Sequence, residues 1–316
     1  MGKFLVHRMA HALLVILVTT FGALVAVTEL GDPFRMIGPR VQTPEARAML
    51  NETFGLDEPL FVRYLVYVGN LFSGDLGIDF ERRRPVFDLL ATAAPNTFRL
   101  AATALLIQFV VGVTLGIVAA RRRHSFADLV ITFAAVTITS LPLFVLGVWL
   151  RDAFSGRSVL GWTAFPLIPR SLGIETTWLQ ELILPALALG VGALAFTVLL
   201  ARGSMIEVMD ADYIRTARAK GLTERKVVFK HAARNALIPV AELSAVQLGA
   251  LMGGTIMVEA IFQYPGLGYL FVRSMGENNH PVMLAVTVYS VALFVVVLML
   301  ADILTAWLDP RIRILD

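Results

Sequence analysis

The 316-residue chain contains no cysteine. Disulfides, thiolate metal sites and a cysteine nucleophile are therefore excluded. Charge is scarce as well: Asp, Glu, Lys and Arg make up 16% of the residues, against about 25% in an average soluble domain. Three catalytic spacings are also missing: H-E-x-x-H, which sets two zinc ligands on one helix face; G-x-S-x-G, which exposes a serine on a strained turn; and G-x-x-x-x-G-K-[ST], which wraps backbone N–H groups round a phosphate. The five histidines, His7, His11, His124, His231 and His280, are scattered without metal-ligand spacing. No low-complexity tract or tandem repeat occurs, nor the matched pair of Gly/Pro-broken segments that marks a two-fold secondary carrier. Hydrolase, zinc-enzyme and nucleotide-hydrolysing chemistry have no residues to carry them here.

What the chain has in quantity is apolar surface: 57% hydrophobic residues and a mean hydropathy of +0.73. Six stretches, near 9–29, 97–120, 128–150, 181–201, 237–260 and 282–307, reach the roughly 20 helical residues that cross about 30 Å of hydrocarbon. The runs Leu100 to Ala120, Leu129 to Leu150, Leu182 to Ala201 and Val282 to Ala301 carry no charge. An all-α integral membrane protein with six transmembrane helices is expected. Lys3, His7 and Arg8 precede the first run as in a signal peptide, but Ala12 to Thr28 is longer than a 7–15-residue h-region and no A-x-A-like site follows, so a retained first helix is expected.

Lys and Arg counted over short loops set the orientation. Fifteen of the 27 fall at Lys3, Arg8, Arg121, Arg122, Arg123, the stretch from Arg202 to Arg234, Arg311 and Arg313, and four at Arg151, Arg157, Arg170 and Arg273. The remainder lie in the long segment 31–99, which weighs little. Both termini are expected in the cytoplasm. The net charge of +3 reflects this asymmetry and indicates membrane lipid, not nucleic acid, as the surrounding partner.

This divides the chain into a first transmembrane helix (1–30), an extracytoplasmic region (31–94), a five-helix body (95–307) with a cytoplasmic loop (207–238), and a cytoplasmic tail (308–316). In the outside region Thr43 can cap a helix from Pro44 to Phe54, with Glu45 near its positive end. A second helix from Glu58 to Phe72 sets Leu60, Tyr64, Tyr67, Val68 and Leu71 on one face. The pair reads as a small folded cap or as helices lying flat on the membrane. Within the lipid, Glu242 and Asp302 are the ionisable side chains expected deepest, with Glu242 paired to an arginine or backbone group, or acting as a proton relay. Gly112/Gly116 and Gly249/Gly253, followed by Gly254, are small-xxx-small pairs that let helices pack closely. Pro142 and Pro185 are expected to kink their helices.

One polar, basic stretch interrupts the apolar body, residues 212–239. Ala211 to Lys220 are good helix formers and Gly221 supplies a C-cap. Thr223 can cap a second helix to about Asn235, with Lys226, Lys230 and Arg234 in one basic stripe and Val227, Val228, His231 and Ala232 opposite. A generic positive-inside loop is the alternative reading. The phrase RTARAKG (215–221), the later HAARNALIP (231–239), and Ala217, Gly221 and Pro239 within them resemble the ATPase-docking loop of ABC importer permeases, most closely the peptide-permease branch. FGLDEPLFVRYL (54–65), GDLG (74–77) and PVFDLLATAAPNTFRLA (85–101) resemble the B-type subunit of dipeptide and oligopeptide permeases; EAIFQYPGLGYL (259–270) and LDPRIR (308–313) match the same branch. Asp79 stands where a Ser is usual and Ala94 where a Leu is. Arg82, Arg83 and Arg84 map onto nothing in the family pattern; they read as a solvated charge run, with contact to a binding protein or to peptide carboxylates as the other reading.

The resemblance implies a type I ABC importer permease. Asp212, Tyr213, Ile214, Arg215, Thr216, Ala217, Arg218, Ala219, Lys220, Gly221, Arg234 and Asn235 would couple it to ATPase subunits, small Ala217 and Ala219 allowing close approach. Pro265, Gly266 and Gly268 would form a tight re-entrant turn at an outer gate. It further implies a homologous C-type permease subunit as heterodimer partner, two ATPase subunits or one fused ATPase, an extracytoplasmic substrate-binding protein, and placement in the cytoplasmic membrane. No cofactor is expected in this chain, ATP and magnesium belonging to the ATPases. Small peptides are the expected cargo. The alternatives are a nickel-chelate permease of the same family, an ion-coupled secondary transporter, or a membrane scaffold without flux.

Overall fold

In lipid a backbone must satisfy its own N–H and C=O groups, and long uncharged runs therefore become helices. The computed structural model describes residues 2–29, 58–79, 81–154, 158–159, 162–163 and 177–308. Its helices are α1 (Gly2–Glu29), α2 (Leu60–Ser73), α3 (Val86–Arg121), α4 (Phe126–Ser140), α5 (Leu143–Phe154), α6 (Trp178–Gly192), α7 (Leu194–Met209), α8 (Asp212–Ala219), α9 (Glu224–Lys226), α10 (Ala233–Ala236), α11 (Ile238–Phe262), α12 (Leu267–Gly276) and α13 (His280–Leu308). Two-residue strands Ser158–Val159 and Trp162–Thr163 pair antiparallel between α5 and α6, a detail with no sequence signal. The expected helix at 44–54, the tail from residue 309 and the side chain of Asp302 lie outside the described residues.

Three helices are long and apolar enough to cross a membrane unbroken, and four bent pairs raise the count to as many as seven. Helix α11 is shared by two of those pairs, and its 25 residues already extend about 37 Å. Counted once, it leaves the six spans expected, with α12 as an extra short helix. The 101° bend between α4 and α5 falls at Pro142, whose ring drives Leu141 into an extended conformation (φ −73°, ψ 134°). The kink expected at Pro185 is displaced. Helix α6 runs through that proline, and the 53° bend lies at Ala193, just after Gly190 and Gly192, where helix propensity is weakest.

The chain divides into two units: residues 1–97 with 265–296, and residues 98–264 with 297–316. In the first, Val86, Leu90, Ala93, Ala94, Leu267, Val282, Ala285 and Val286 form one buried core. Leu60, Tyr64, Tyr67 and Leu71 of α2 pack on Leu24, Leu284 and Val288. The Tyr64 hydroxyl donates to Leu17 O at 2.9 Å and its ring meets Phe21 edge-on at 5.3 Å. The opposite face of α2 is apolar too, with Phe61, Leu65, Val66 and Phe72 exposed. The cap reading therefore fits one face of α2 and the flat-on-lipid reading the other.

In the second unit, Leu100, Ala104, Leu182, Ala186, Leu189, Leu251, Val258 and Tyr264 make one core. Another joins the ends of α3 and α7 to the 212–240 stretch. Gly112 and Gly116 do form a seam: a Cβ at Gly112 would stand 2.7 Å from Thr197 Cβ, and one at Gly116 2.7 Å from Ala201 Cβ and 2.8 Å from Val198 O. Gly190 lies closer still, 2.6 Å from Ala104 O by the same measure. Gly253 differs, being exposed with nothing near it.

Candidate coupling helix and gate turn

Helix α8 begins with Asp212 in its first turn, where a carboxylate suits the positive end of the dipole. It ends in a Schellman arrangement: Gly221 N donates to Arg218 O at 2.9 Å and Leu222 N to Ala217 O at 3.4 Å. Gly221 has φ +76°, a conformation costly to residues with a Cβ. Apart from its chain neighbours, no atom of the described residues lies within 4 Å of where its Cβ would sit, so there the glycine serves the turn and not close packing.

Ile214 and Ala217 are the buried residues of α8. They pack with Val113 and Ile117 of α3, Ala201 and Met205 of α7, and Val227, Val228 and Ala232. The small side chain of Ala217 thus seats α8 closely on its own protein. Asp212, Tyr213, Arg215, Thr216, Arg218, Ala219 and Lys220 are exposed. The helix is thus rooted by two residues and open on the rest of its circumference.

Thr223 occupies the expected N-cap position, but its side chain makes no capping bond. The helix it begins is not uniformly α, because Val227–Ala232 is wound as π. The reason lies in the spacing of the buried residues. Val227 and Val228 recur as Ala232 and Ala233 five positions on, a repeat that suits i→i+5 winding. Lys226, Lys230 and Arg234 remain exposed. Polar ties close the loop: Asn235 Nδ2 donates to the Tyr213 hydroxyl at 2.9 Å, and Arg218 Nε to Glu224 at 2.8 Å. Just before α8, Asp210 meets Arg123 at 3.0 Å.

Two groups that sequence reading passed over anchor α7 above this loop. Arg202 donates to Asp128 from Nε and Nη2, at 2.6 and 2.7 Å, and Asp128 is 5% exposed. Its carboxylate also accepts from His124 N, while Ser125 Oγ accepts from Asp128 N. The Ser-x-x-Asp spacing at 125–128 was a legible capping signal. Gln108, 1% exposed, donates from Nε2 to Ala193 O at the α6–α7 break, to Thr197 Oγ1 and to Gln247 Oε1. A lone amide in an uncharged run was the signal for it. Glu259 is fully buried as well. Glu242 is half-buried, and the partner expected for it, an arginine or a backbone group, is absent among the described residues.

At the turn expected to form the outer gate, Asn96 Nδ2 donates to Pro265 O at 2.9 Å and Leu267 N to Thr97 Oγ1 at 2.8 Å. The left-handed residue of this turn is Gln263 (φ +51°). Gly266 is extended and Gly268 sits inside α12, so neither glycine supplies the left-handed conformation of the turn. No group of His, Cys, Asp and Glu among the described residues could hold a metal ion.

Comparison with known proteins agrees with this architecture. The chain is 35% identical over 324 residues to the oligopeptide transport system permease protein AppB of Bacillus subtilis (strain 168), covering 99% of this chain and all of that one. It is 33% identical over 320 residues to the dipeptide transport system permease protein DppB of Lactococcus lactis subsp. cremoris (strain MG1363), with 99% and 100% covered. To the glutathione transport system permease protein GsiC of Escherichia coli (strain K12) it is 37% identical over 283 residues, 90% of this chain and 89% of that one. A solved chain of the MetNI methionine ABC transporter in inward-facing conformations superposes with a TM-score of 0.57 at 21% identity, over 70% of this chain and 96% of that one. The profile described as "Binding-prot-dependent transport system membrane comp, N-term" matches residues 1–101. With residues 112–314 matching its main profile, the chain belongs to the family of binding-protein-dependent transport system inner membrane components.

Proposed function

We propose that this chain is one permease subunit of an ATP-driven importer that carries dipeptides, oligopeptides or peptide-like solutes across the cytoplasmic membrane. A homologous C-type subunit completes the path. Two ATPase subunits, or one fused ATPase, dock on the cytoplasmic side and hold the ATP and magnesium, and an extracytoplasmic binding protein delivers the cargo. Both termini face the cytoplasm. This chain carries no catalytic step. The peptide cargo rests on what its similar permeases are named for carrying, and the orientation on its Lys and Arg distribution.

The observation that carries the reading is α8, seated by Ile214 and Ala217 on a core shared with α3 and α7 and exposed elsewhere. A push on α8 from the water is delivered directly to the ends of two spanning helices. Asp212, Tyr213, Arg215, Thr216, Arg218, Ala219 and Lys220 form the contact surface, while Gly221, Arg234 and Asn235 hold its shape. Pro265, Gly266 and Gly268 shape the turn at the outer gate.

Two substitutions at Gly221 test this. Asn tolerates the left-handed conformation and Val does not. If Gly221 serves only the turn, Gly221→Asn retains ATP-driven peptide uptake in proteoliposomes. If an ATPase also packs against it, both variants lose uptake at least tenfold while remaining inserted. Normal uptake in Gly221→Val would overturn the coupling role.

A further inference from the structure

Two of the local features that depart from the family pattern, Asp79 and the arginines 82–84, prove to be parts of one turn. Hydrogen bonds between residues 77–79 and 83–86 close a turn. Val86 N donates to Gly77 O at 3.0 Å, Asp79 N to Arg84 O at 2.9 Å and Arg83 N to Asp79 O at 2.9 Å, and Ile78 bridges Pro85. Asp79 is 2% exposed and Asn279 3%. The Asp79 carboxylate accepts from Glu81 N and from Asn279 Nδ2, which pins the loop to the turn between α12 and α13.

At its tip Arg82, Arg83 and Arg84 are all exposed, and none of the three guanidinium groups has a partner among the described residues. Among the described residues, the carboxylates around this turn are engaged elsewhere. Glu81 and Glu277 both bind Arg273, Asp79 is buried, and Asp75 accepts from Gly77 N. Asp88 lies in the first turn of α3, where the helix dipole favours it. Arg83 has φ +52° and Asn278, in the adjoining turn, φ +48°. Non-glycine residues held in this region store strain, and such strain concentrates at working sites.

A solvated charge run needs neither a buried carboxylate beneath it nor a strained backbone at its tip. We propose that the Asp79-pinned arginine turn is a docking post for an acidic patch on the soluble substrate-binding protein, and that it selects which binding protein this permease accepts. The inference rests on the importer reading above and names the surface that reading leaves open. Arginine forks hold carboxylates in a bidentate, oriented way. A turn already rigid before contact loses little freedom on docking to a rigid partner, an advantage that fluid lipid headgroups would not reward. Charge complementarity of this kind sets encounter rate and partner choice.

The test uses the complete transporter in nanodiscs, titrated with the binding protein that stimulates its ATP hydrolysis. Replacing all three arginines by Glu should weaken binding at least tenfold at low salt, with the difference shrinking as salt rises. Asp79→Ala, which frees the turn but keeps its charges, should give a smaller loss, about threefold in Kd, with the salt dependence intact. Retained co-purification with the ATPases checks that each variant is folded. Unchanged affinity in the triple variant overturns the proposal, and so does a loss seen only in discs of anionic lipid, which would make the turn a headgroup contact. If the unaltered transporter responds to no soluble binding protein, the importer reading fails first.

Discussion

Helix α7 ends in two regions that use the same residue types to opposite effect. Along its length it is welded to α3: Gly112 and Gly116 leave no room for a Cβ against Thr197, Ala201 and Val198. Arg202 is clamped by Asp128, and Gln108 ties the Ala193 break. Beyond Met209 the chain opens out. Gly221 has empty space around it, most of α8 faces outward, and the next helix carries a π turn. A welded shaft with an accessible end transmits displacement, whereas a loose shaft would absorb it.

The largest expected effect comes from forcing the weld apart. In Gly116→Leu the new Cβ meets Ala201 Cβ and a backbone oxygen, neither of which can swing aside. Overpacking costs about 1–3 kcal/mol, and more where backbone must shift; here the upper end applies. Folded protein recovered in mild detergent should fall severalfold, and Ala201→Gly should restore part of it. A melting temperature equal to that of the unaltered chain would show that the two helices are not in contact.

Next in size is the Asp128–Arg202 pair. Removing one partner of a buried pair costs about 3–5 kcal/mol. Arg202 keeps 27% of its side-chain surface, so a loss of about 2 kcal/mol is expected for Asp128→Ala. Asp128→Ala combined with Arg202→Met should lose less than the sum of the single changes. Additive losses in a double-mutant cycle would mean that the two groups do not interact, and that the clamp contributes nothing to the shaft.

The unequal legibility of these regions has physical causes. Six spans could be read because uncharged runs of about 20 residues leave few alternatives in lipid. The turn at Gly221 was equally plain, since helix formers ending in glycine encode their own stop. Close approach at Ala217 was legible from its small size, but the α3 and α7 core it packs into was not, because size does not name the neighbour. The bend at Ala193 escaped because Pro185 was the louder signal, although tertiary packing carries α6 past it. The π turn needed the burial of Val227, Val228, Ala232 and Ala233 to be known together. Asp128–Arg202 and Asp79–Asn279 join residues far apart in the chain, and no local pattern predicts such partners.

The smallest effect sharpens the comparison most, because it sets one glycine pair against another that looks the same in sequence. Gly249/Gly253 repeats the spacing of Gly112/Gly116, yet Gly253 is exposed and its Cβ position is empty. Alanine inside a helix is favoured over glycine by roughly 0.5–1 kcal/mol, and nothing among the described residues opposes the added methyl group. Gly253→Ala should therefore raise thermal stability slightly in the isolated subunit, while Gly116→Ala lowers it. The same pair of variants measured in the assembled transporter asks a further question. A gain at position 253 that persists there leaves that face to lipid. A gain that turns into a loss on assembly means that a partner helix closes on Gly253 as tightly as α7 closes on Gly116.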